Sequence, residues 1–181
     1  QMCIRDSTPA LPIPIPIGSG GVRIVSVVGA PDRTISFAWL SQNTSEDPWD
    51  LHVQRFGAEG QPEGPGFVAA GIPRALPGKM VRNPWNQELV VTWSSEVTGT
   101  DRPNNQIFLQ RLTPQGLPLT PEPVLLAAGD LFGSIHPNAA CNSRGFCLFA
   151  WMGGGEYDLN LRVLRPDGGL GPVSGFSALL G

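Results

Sequence analysis

One pattern occurs three times along this chain, and it constrains the fold more than any other feature of the sequence. Each copy has a strand-like segment ending at a tryptophan, a polar loop, a second strand-like segment, and a turn that ends at a glycine. The shared residues are Trp39, Trp93 and Trp151 with Gly60, Gly116 and Gly168. The glycines lie 56 and 52 residues apart, and self-similarity at a period of this size is the signature of a repeat architecture.

Glycine and proline divide the sequence into short segments, with 23 and 19 copies among 181 residues. Long helices are not expected, because these residues interrupt helical patterns and the apolar positions alternate instead of recurring every 3.6 residues. A hydrophobic fraction of 41% with five tryptophans is too rich for a disordered linker. The composition therefore predicts an all-β chain.

Alignment on the tryptophans places apolar residues of the three copies at the same alternating positions. They are Ile35, Phe37 and Trp39, then Leu89, Val91 and Trp93, then Cys147, Phe149 and Trp151. A period of two is that of a half-buried strand. Turn residues before each strand predict a hairpin with the preceding segment, such as 23–28 or 134–140.

Each predicted tryptophan strand is followed by a polar loop and two more strands. The loops are 41–49, 94–105 and 152–157, the next strands 51–56, 107–112 and 159–164, and the last strands 67–70, 124–127 and 173–176. Four antiparallel strands in about fifty residues are typical of a β-propeller blade. We therefore predict an all-β, β-propeller-like fold with three four-stranded blades, approximately at 22–72, 73–129 and 130–181. Propellers have about four to eight blades, so three units are too few to close a ring. Either the chain is an open fragment of a larger propeller, with missing blades in the same polypeptide, or copies assemble, and we favour the fragment.

The repeats resemble those of bacterial secreted and cell-surface β-propeller-type proteins. The resemblance rests on the tryptophan strand, on Gln-Arg-Phe at 54–56 or Gln-Arg-Leu at 110–112, and on the turn ending in glycine. It implies a propeller-type fold and an extracellular, surface or periplasmic location, but no single activity.

The segment 1–21 lies outside the repeat region 22–181, and we interpret it as non-native or linker sequence. Residues 1–7 resemble the translated adapter remnant found at the ends of reading frames from environmental assemblies, and they do not fit a secretory signal. We therefore expect a metagenomic fragment that contains no signal peptide of its own.

The charge distribution and the hydropathy of the sequence argue against nucleic-acid binding and against a membrane span. The net charge is −3 and the twelve Lys and Arg residues are scattered, whereas nucleic-acid binding needs a basic patch. No apolar run approaches the roughly 20 residues that span a bilayer. The expected partner is a protein or a glycan.

Cys141 and Cys147 flank the turn of a predicted hairpin, and they form the candidate disulfide. Cβ atoms of opposite residues lie about 4.5–5.5 Å apart, near the range that a disulfide requires. The alternative is a pair of small buried residues, because Cys147 occupies the position of Ile35 and Leu89. Zinc is not predicted, since no histidine or further cysteine lies at ligand spacing.

Oxygen-bearing side chains in the loops suggest calcium, which takes about six to eight oxygen ligands. They are Glu46, Asp47, Asp50, Asp101, Asn104, Asn105, Glu156 and Asp158. These residue types are also common in turns, and the sequence has no alternating Asp-x-Asn-x-Asp pattern. No metal or other cofactor is therefore predicted. His52 and His136 are interpreted as strand or loop-surface residues.

A catalytic interpretation would use Tyr157 beside Glu156, with Arg55, Arg111 and Arg162, as in sialidase-like chemistry. Arginines that recur in several copies are better explained by structure, and the common catalytic motifs are absent. No catalytic residue is therefore predicted, and the sequence favours a non-enzyme.

The leading hypothesis is a non-catalytic, extracellular or surface-displayed repeat module that recognises protein or glycan through variable loops on a constant strand frame. Two alternatives remain. The chain could belong to a propeller enzyme acting on glycans, with its catalytic residues mainly in missing blades, or it could be a structural spacer of a large surface protein.

Overall fold

The computed structural model of the chain describes residues 20–96, 105–128, 135–153 and 158–176. These ranges contain twelve β-strands and no helix. The first sheet contains β1 (Gly21–Gly29), β2 (Ile35–Gln42), β3 (Trp49–Phe56) and β4 (Pro62–Ile72). The second contains β5 (Leu76–Arg82), β6 (Leu89–Glu96), β7 (Asn105–Leu112) and β8 (Val124–Ala127). The third contains β9 (Ile135–Cys141), β10 (Cys147–Met152), β11 (Leu159–Leu164) and β12 (Ser174–Phe176).

Each sheet is an antiparallel meander in which the four strands lie side by side in chain order. The prediction of an all-β chain with three four-stranded antiparallel units is therefore confirmed. The first loop is shorter than predicted, since β2 continues to Gln42 and β3 begins at Trp49. Gln42 stays in the sheet because it pairs with Gly21 across the β1–β2 ladder.

Two apolar layers hold the sheets together. The first layer lies between sheets 1 and 2 and includes Leu40, Leu51, Leu89 and Trp93. The second layer lies between sheets 2 and 3 and contains Val90, Ile107, Phe149 and Trp151. Strand β6 of the middle sheet is buried on both faces, from Leu89 to Ser95. Burial of apolar surface in such layers is the dominant favourable term in folding.

The three repeat tryptophans are all buried, but their surroundings differ. Trp93 packs in the first layer and Trp151 in the second. Trp39 points to the other face of sheet 1, where it stacks between Phe37 and His52 with ring centroids 5.2 and 5.0 Å away. No described strand packs on that face, so Ile35 is exposed although its counterparts Leu89 and Cys147 are fully buried.

The turn glycines Gly60, Gly116 and Gly168 have φ values of 82°, 89° and 88°. Each donates its amide hydrogen to the carbonyl oxygen three residues earlier. A type I turn followed by a left-handed residue is a common hairpin connection, and glycine adopts the left-handed conformation without steric strain. These glycines are therefore required by the backbone of the turns.

Candidate functional site

The meander places successive connections at opposite ends of the sheets. Six connections lie at one end, here called the turn end, namely 30–34, 57–61, 83–88, 113–123, 142–146 and 165–173. The loop 43–48 and the crossing 73–75 lie at the other end, here called the loop end. The loop end carries the polar loops that follow the tryptophan strands, and exposed loops on a rigid strand frame commonly carry recognition residues.

Hydrogen bonds fix the loop 43–48 before any partner is present. The side-chain amide of Gln42 donates to the backbone oxygens of Ser45 and Asp47. The Asp47 carboxylate accepts the amide hydrogen of Thr44 at 3.0 Å. A loop held in this way loses little conformational freedom on binding, which favours affinity.

Two adjoining depressions of about 360 and 400 Å³ lie at the loop end. They share Gln42, Ser45, Trp49 and Arg74, and together we call them the loop-end groove. The groove lies where sheet 1 meets sheet 2, so residues distant in sequence line it. Its size is within the range of about 300–1,000 Å³ that is common for binding sites.

The loop-end groove is polar and carries charges of both signs. Arg74 is exposed, and its guanidinium lies 2.9 Å from the Glu96 carboxylate. The Arg23 guanidinium lies 4.4 Å from the centre of the Trp49 ring and donates to the Ala75 carbonyl oxygen at 2.9 Å. The Trp49 ring is therefore covered by a cation and is not an open stacking surface.

An apolar cleft of about 400 Å³ runs along the outer edge between sheets 1 and 2, and we call it the aromatic cleft. Its lining includes Phe67, Trp93 and Phe108, and the Trp93 and Phe108 rings stack with centroids 6.0 Å apart. Glu122 supplies the carboxylate of this cleft. Pro73 lines both the aromatic cleft and the loop-end groove, so the two sites adjoin.

Among the described residues, the acidic side chains considered for calcium are not brought together as a metal site. Glu46 and Asp47 line the loop-end groove, whereas the Asp50 carboxylate accepts the Gly71 amide hydrogen at 2.9 Å. Within the described ranges, no group of three or more His, Cys, Asp or Glu side chains could hold a metal ion. Four of the residues considered for calcium or catalysis lie outside the described ranges, namely Asp101, Asn104, Glu156 and Tyr157.

The three arginines considered for catalysis lie in separate sheets and have structural partners. Arg55 pairs with Asp32 at 2.8 Å, and Arg111 pairs with Glu88 at 2.7 Å. Arg162 donates to the backbone oxygens of Gly171 and Leu126. Hydrogen bonds from the Thr34 hydroxyl and amide, with the charge of Arg55, hold the pKa of Asp32 below its ordinary value. Arg55, Arg111 and Arg162 are thus each engaged by partners of their own.

Cys141 and Cys147 are joined by a disulfide bond. They face each other directly across the β9–β10 ladder, with Cα atoms 4.0 Å apart. Cys147 is also fully buried in the second layer. The disulfide and the packing position, which the sequence presented as alternatives, thus occur together in the structure.

His52 lies at the centre of the open face of sheet 1. Its Nε2 atom is 2.8 Å from the Ser41 hydroxyl, and its ring stacks on Trp39. Burial lowers the pKa of His52 below its ordinary value, and the charge of Asp50 opposes that shift. The Asp50 Oδ1 atom accepts the Gly71 amide hydrogen, and the hydrogen bond of the His52 ring is to Ser41, whereas a catalytic triad also needs a carboxylate bonded to the imidazole.

We expect the free energy of unfolding to fall as the pH decreases below about 6.5, the ordinary pKa of histidine. The folded state has the lower His52 pKa, so the unfolded state takes up the proton first and is favoured by acid. Urea denaturation at a series of pH values would measure this slope. The variant His52→Gln should flatten it, and His136→Gln is the control. If the free energy of unfolding of His52→Gln depended on pH as strongly as that of the original chain, His52 would not be the cause of the pH dependence.

Comparison of the chain with protein-family models, curated proteins and solved structures finds no significant match. The function is therefore inferred from the chemistry of the loop end and the aromatic cleft. Within the part of the chain that the structure describes, no helix is long and apolar enough to cross a membrane.

Sequence reasoning assigned no role to Arg23, Arg74 and Glu96. They meet at the groove only because sheet 1 stacks on sheet 2, and Arg23 reaches the Ala75 carbonyl across 52 residues of sequence. The one local signal was Trp49, an aromatic residue at the boundary between a polar loop and a strand. That signal does not reveal which cation covers the ring.

Proposed function

We propose that this chain is a non-catalytic β-propeller-type repeat module that binds a protein partner at its loop end. In this proposal the three sheets are successive blades. The sequence resemblance, the four-stranded meanders and the face-to-face apolar layers support it. The first strands of the sheets also lie side by side, since β5 contacts both β1 and β9.

Hydrogen bonds between the sheets agree with a radial stack of blades. The Ser26 hydroxyl donates to the Met80 carbonyl oxygen, and the Arg82 guanidinium donates to the Gly29 carbonyl oxygen. Asn83 of the second sheet donates to the Gly145 carbonyl oxygen of the third at 3.1 Å. Each blade would thus be fixed to the next through its inner strands and turns.

The observation that carries the binding proposal is the junction of the loop-end groove with the aromatic cleft at Pro73. The groove presents Arg74, Glu96 and nearby acidic side chains, whereas the cleft presents aromatic rings. Protein interfaces combine an apolar anchor in a pocket with a polar rim. An extended protein segment with one apolar side chain and flanking charged residues would match both sites.

A protein partner is favoured over a glycan at the loop-end groove. Arg23 covers the Trp49 ring, so the groove offers no open aromatic face on which a sugar ring could stack. The opposite charges of the groove would pair with charged side chains of a protein surface and fix its orientation. The disulfide supports the accompanying proposal of an extracellular or surface location, since such bonds persist in oxidising compartments.

Selection from a displayed library of random peptides would test the proposed function. We expect the selected peptides to share an apolar residue with charged neighbours. Arg74→Glu in the groove and Glu122→Lys in the cleft should each weaken binding about tenfold, which corresponds to about 1.4 kcal/mol. The matched control is Arg144→Glu, a charge reversal at the turn end. Peptides that bind both variants as well as the original chain, or binding to a glycan array instead, would contradict the proposal.

A further inference from the structure

The outward face of sheet 1 carries large apolar side chains together with the polar side chains of Ser41, Asp50 and His52, and no described strand packs on it. Trp39 lies at its centre, and large apolar side chains around it are exposed. They are Val22, Ile24, Val27, Ile35 and Val68. The most exposed of them is Ile24, at 68%, which lies directly opposite Trp39 in the β1–β2 ladder. We call this surface the Trp39 face.

The outward face of sheet 3 is also apolar, and we call it the Leu148 face. Its exposed side chains are Leu148, Met152, Leu159 and Phe176. They lie on three neighbouring strands, because Met152 pairs with Leu159 and Leu159 pairs with Phe176. No described position on this face carries a charged side chain, so its burial would leave no charge without a partner.

The repeat shows what each open face is built to contact. At both interior junctions, the tryptophan-bearing face of one sheet packs on the opposite face of the preceding sheet. Leu159 is the counterpart of Leu51 and Ile107, which pack against the next sheet in the first and second layers. Trp39 is the counterpart of Trp93 and Trp151, which pack against the preceding sheet. The two open faces are therefore the two halves of one more junction of the same kind.

We propose that the Leu148 face of one copy of this chain packs on the Trp39 face of a second copy. Two copies joined head to tail at both ends form a closed ring of six sheets, within the range of about four to eight that propellers use. Closure of a head-to-tail contact leaves neither face open, whereas an unclosed contact would produce filaments. This inference rests on the proposed blade arrangement and takes assembly of copies, instead of missing blades of the same polypeptide, as what completes the ring. It is independent of the loop-end binding site.

The full chain at tens of micromolar in sedimentation-velocity experiments is expected to be a dimer. Ile24→Glu and Leu148→Glu should each weaken dimerisation by at least about tenfold, because either charge is placed in both junctions of the ring. Leu117→Glu is the matched control: Leu117 is 48% exposed, close to the 44% of Leu148, but it lies at the turn end. This control should remain a dimer.

Mixing the two variants provides the decisive measurement. Ile24→Glu keeps an intact Leu148 face and Leu148→Glu keeps an intact Trp39 face, so the mixture should recover a dimer through one unaltered junction. Recovery also shows that both variants are folded. Three results would overturn the proposal: a monomeric original chain, filaments in place of dimers, or an association that only one of the two variants weakens. The last result would indicate that one face pairs with itself.

Discussion

Replacement of Trp93 by alanine is expected to lower the free energy of unfolding by about 3–5 kcal/mol. Trp93 is 2% exposed and packs in the layer between sheets 1 and 2. Its removal takes away apolar burial and leaves a cavity that the surrounding strands fill only in part. Urea denaturation followed by far-ultraviolet circular dichroism measures the change without relying on tryptophan fluorescence.

Trp85→Ala is the matched control because Trp85 is 66% exposed and lies on a turn. Surface substitutions of this kind change stability by about 0.5 kcal/mol or less. If Trp93→Ala and Trp85→Ala destabilised the chain equally, the first layer would not be the core of the molecule. The stacking of sheet 1 on sheet 2 would then be wrong, and so would the positions of the loop-end groove and the aromatic cleft.

The sequence predicts which residues share a face of a strand, but not what packs on that face. Trp39, Trp93 and Trp151 share one phase of the alternation, and all three are buried. Only Trp93 and Trp151 face a neighbouring sheet, whereas Trp39 lies between Phe37 and His52. Periodicity alone could not distinguish these environments, because it reports on one strand at a time.

The bounds of strands were predictable where the alternation is regular, but not where glycine and proline interrupt it. The segment 124–127 was predicted with the bounds of β8, whereas the strand expected before the second turn, observed as β5, was predicted without bounds. The register of the β5–β6 pairing shifts between Pro77 and Met80. There the Thr92 hydroxyl accepts the amide hydrogen of Lys79 and donates to the Lys79 carbonyl oxygen. β4 is longer than predicted, since Gly64 and Gly66 with positive φ values break its alternation.

The sequence predicted which polar loop lies at the loop end, but not the chemistry of the groove that this loop lines. Glu46 and Asp47 belong to a loop that the repeat alignment identifies, and both line the groove. Arg23 and Arg74 come from different sheets, so their approach depends on the layer between the sheets. A pattern within one repeat contains no information about such contacts.

Reduction of the Cys141–Cys147 disulfide is expected to lower the free energy of unfolding by about 2 kcal/mol, because the bond restricts the unfolded chain. The value is modest since the cysteines are separated by only 6 positions, and the stabilisation grows with the length of the closed loop. Denaturation in the presence and absence of a reductant measures it. All samples should carry Cys3→Ser, so that the third cysteine of the sequence does not react.

The double variant Cys141→Ala with Cys147→Ala separates the covalent bond from packing. Reduction removes only the bond, whereas the double variant also removes the buried sulfur of Cys147 from the layer that contains Phe149. We therefore expect the order of stability to be oxidised chain, reduced chain, then double variant, with the last insensitive to reductant. Equal stability of the oxidised and reduced chains would show that packing alone explains these positions. A bond that stabilises the fold by this amount would make the module more stable in an oxidising compartment, as the proposed extracellular location requires.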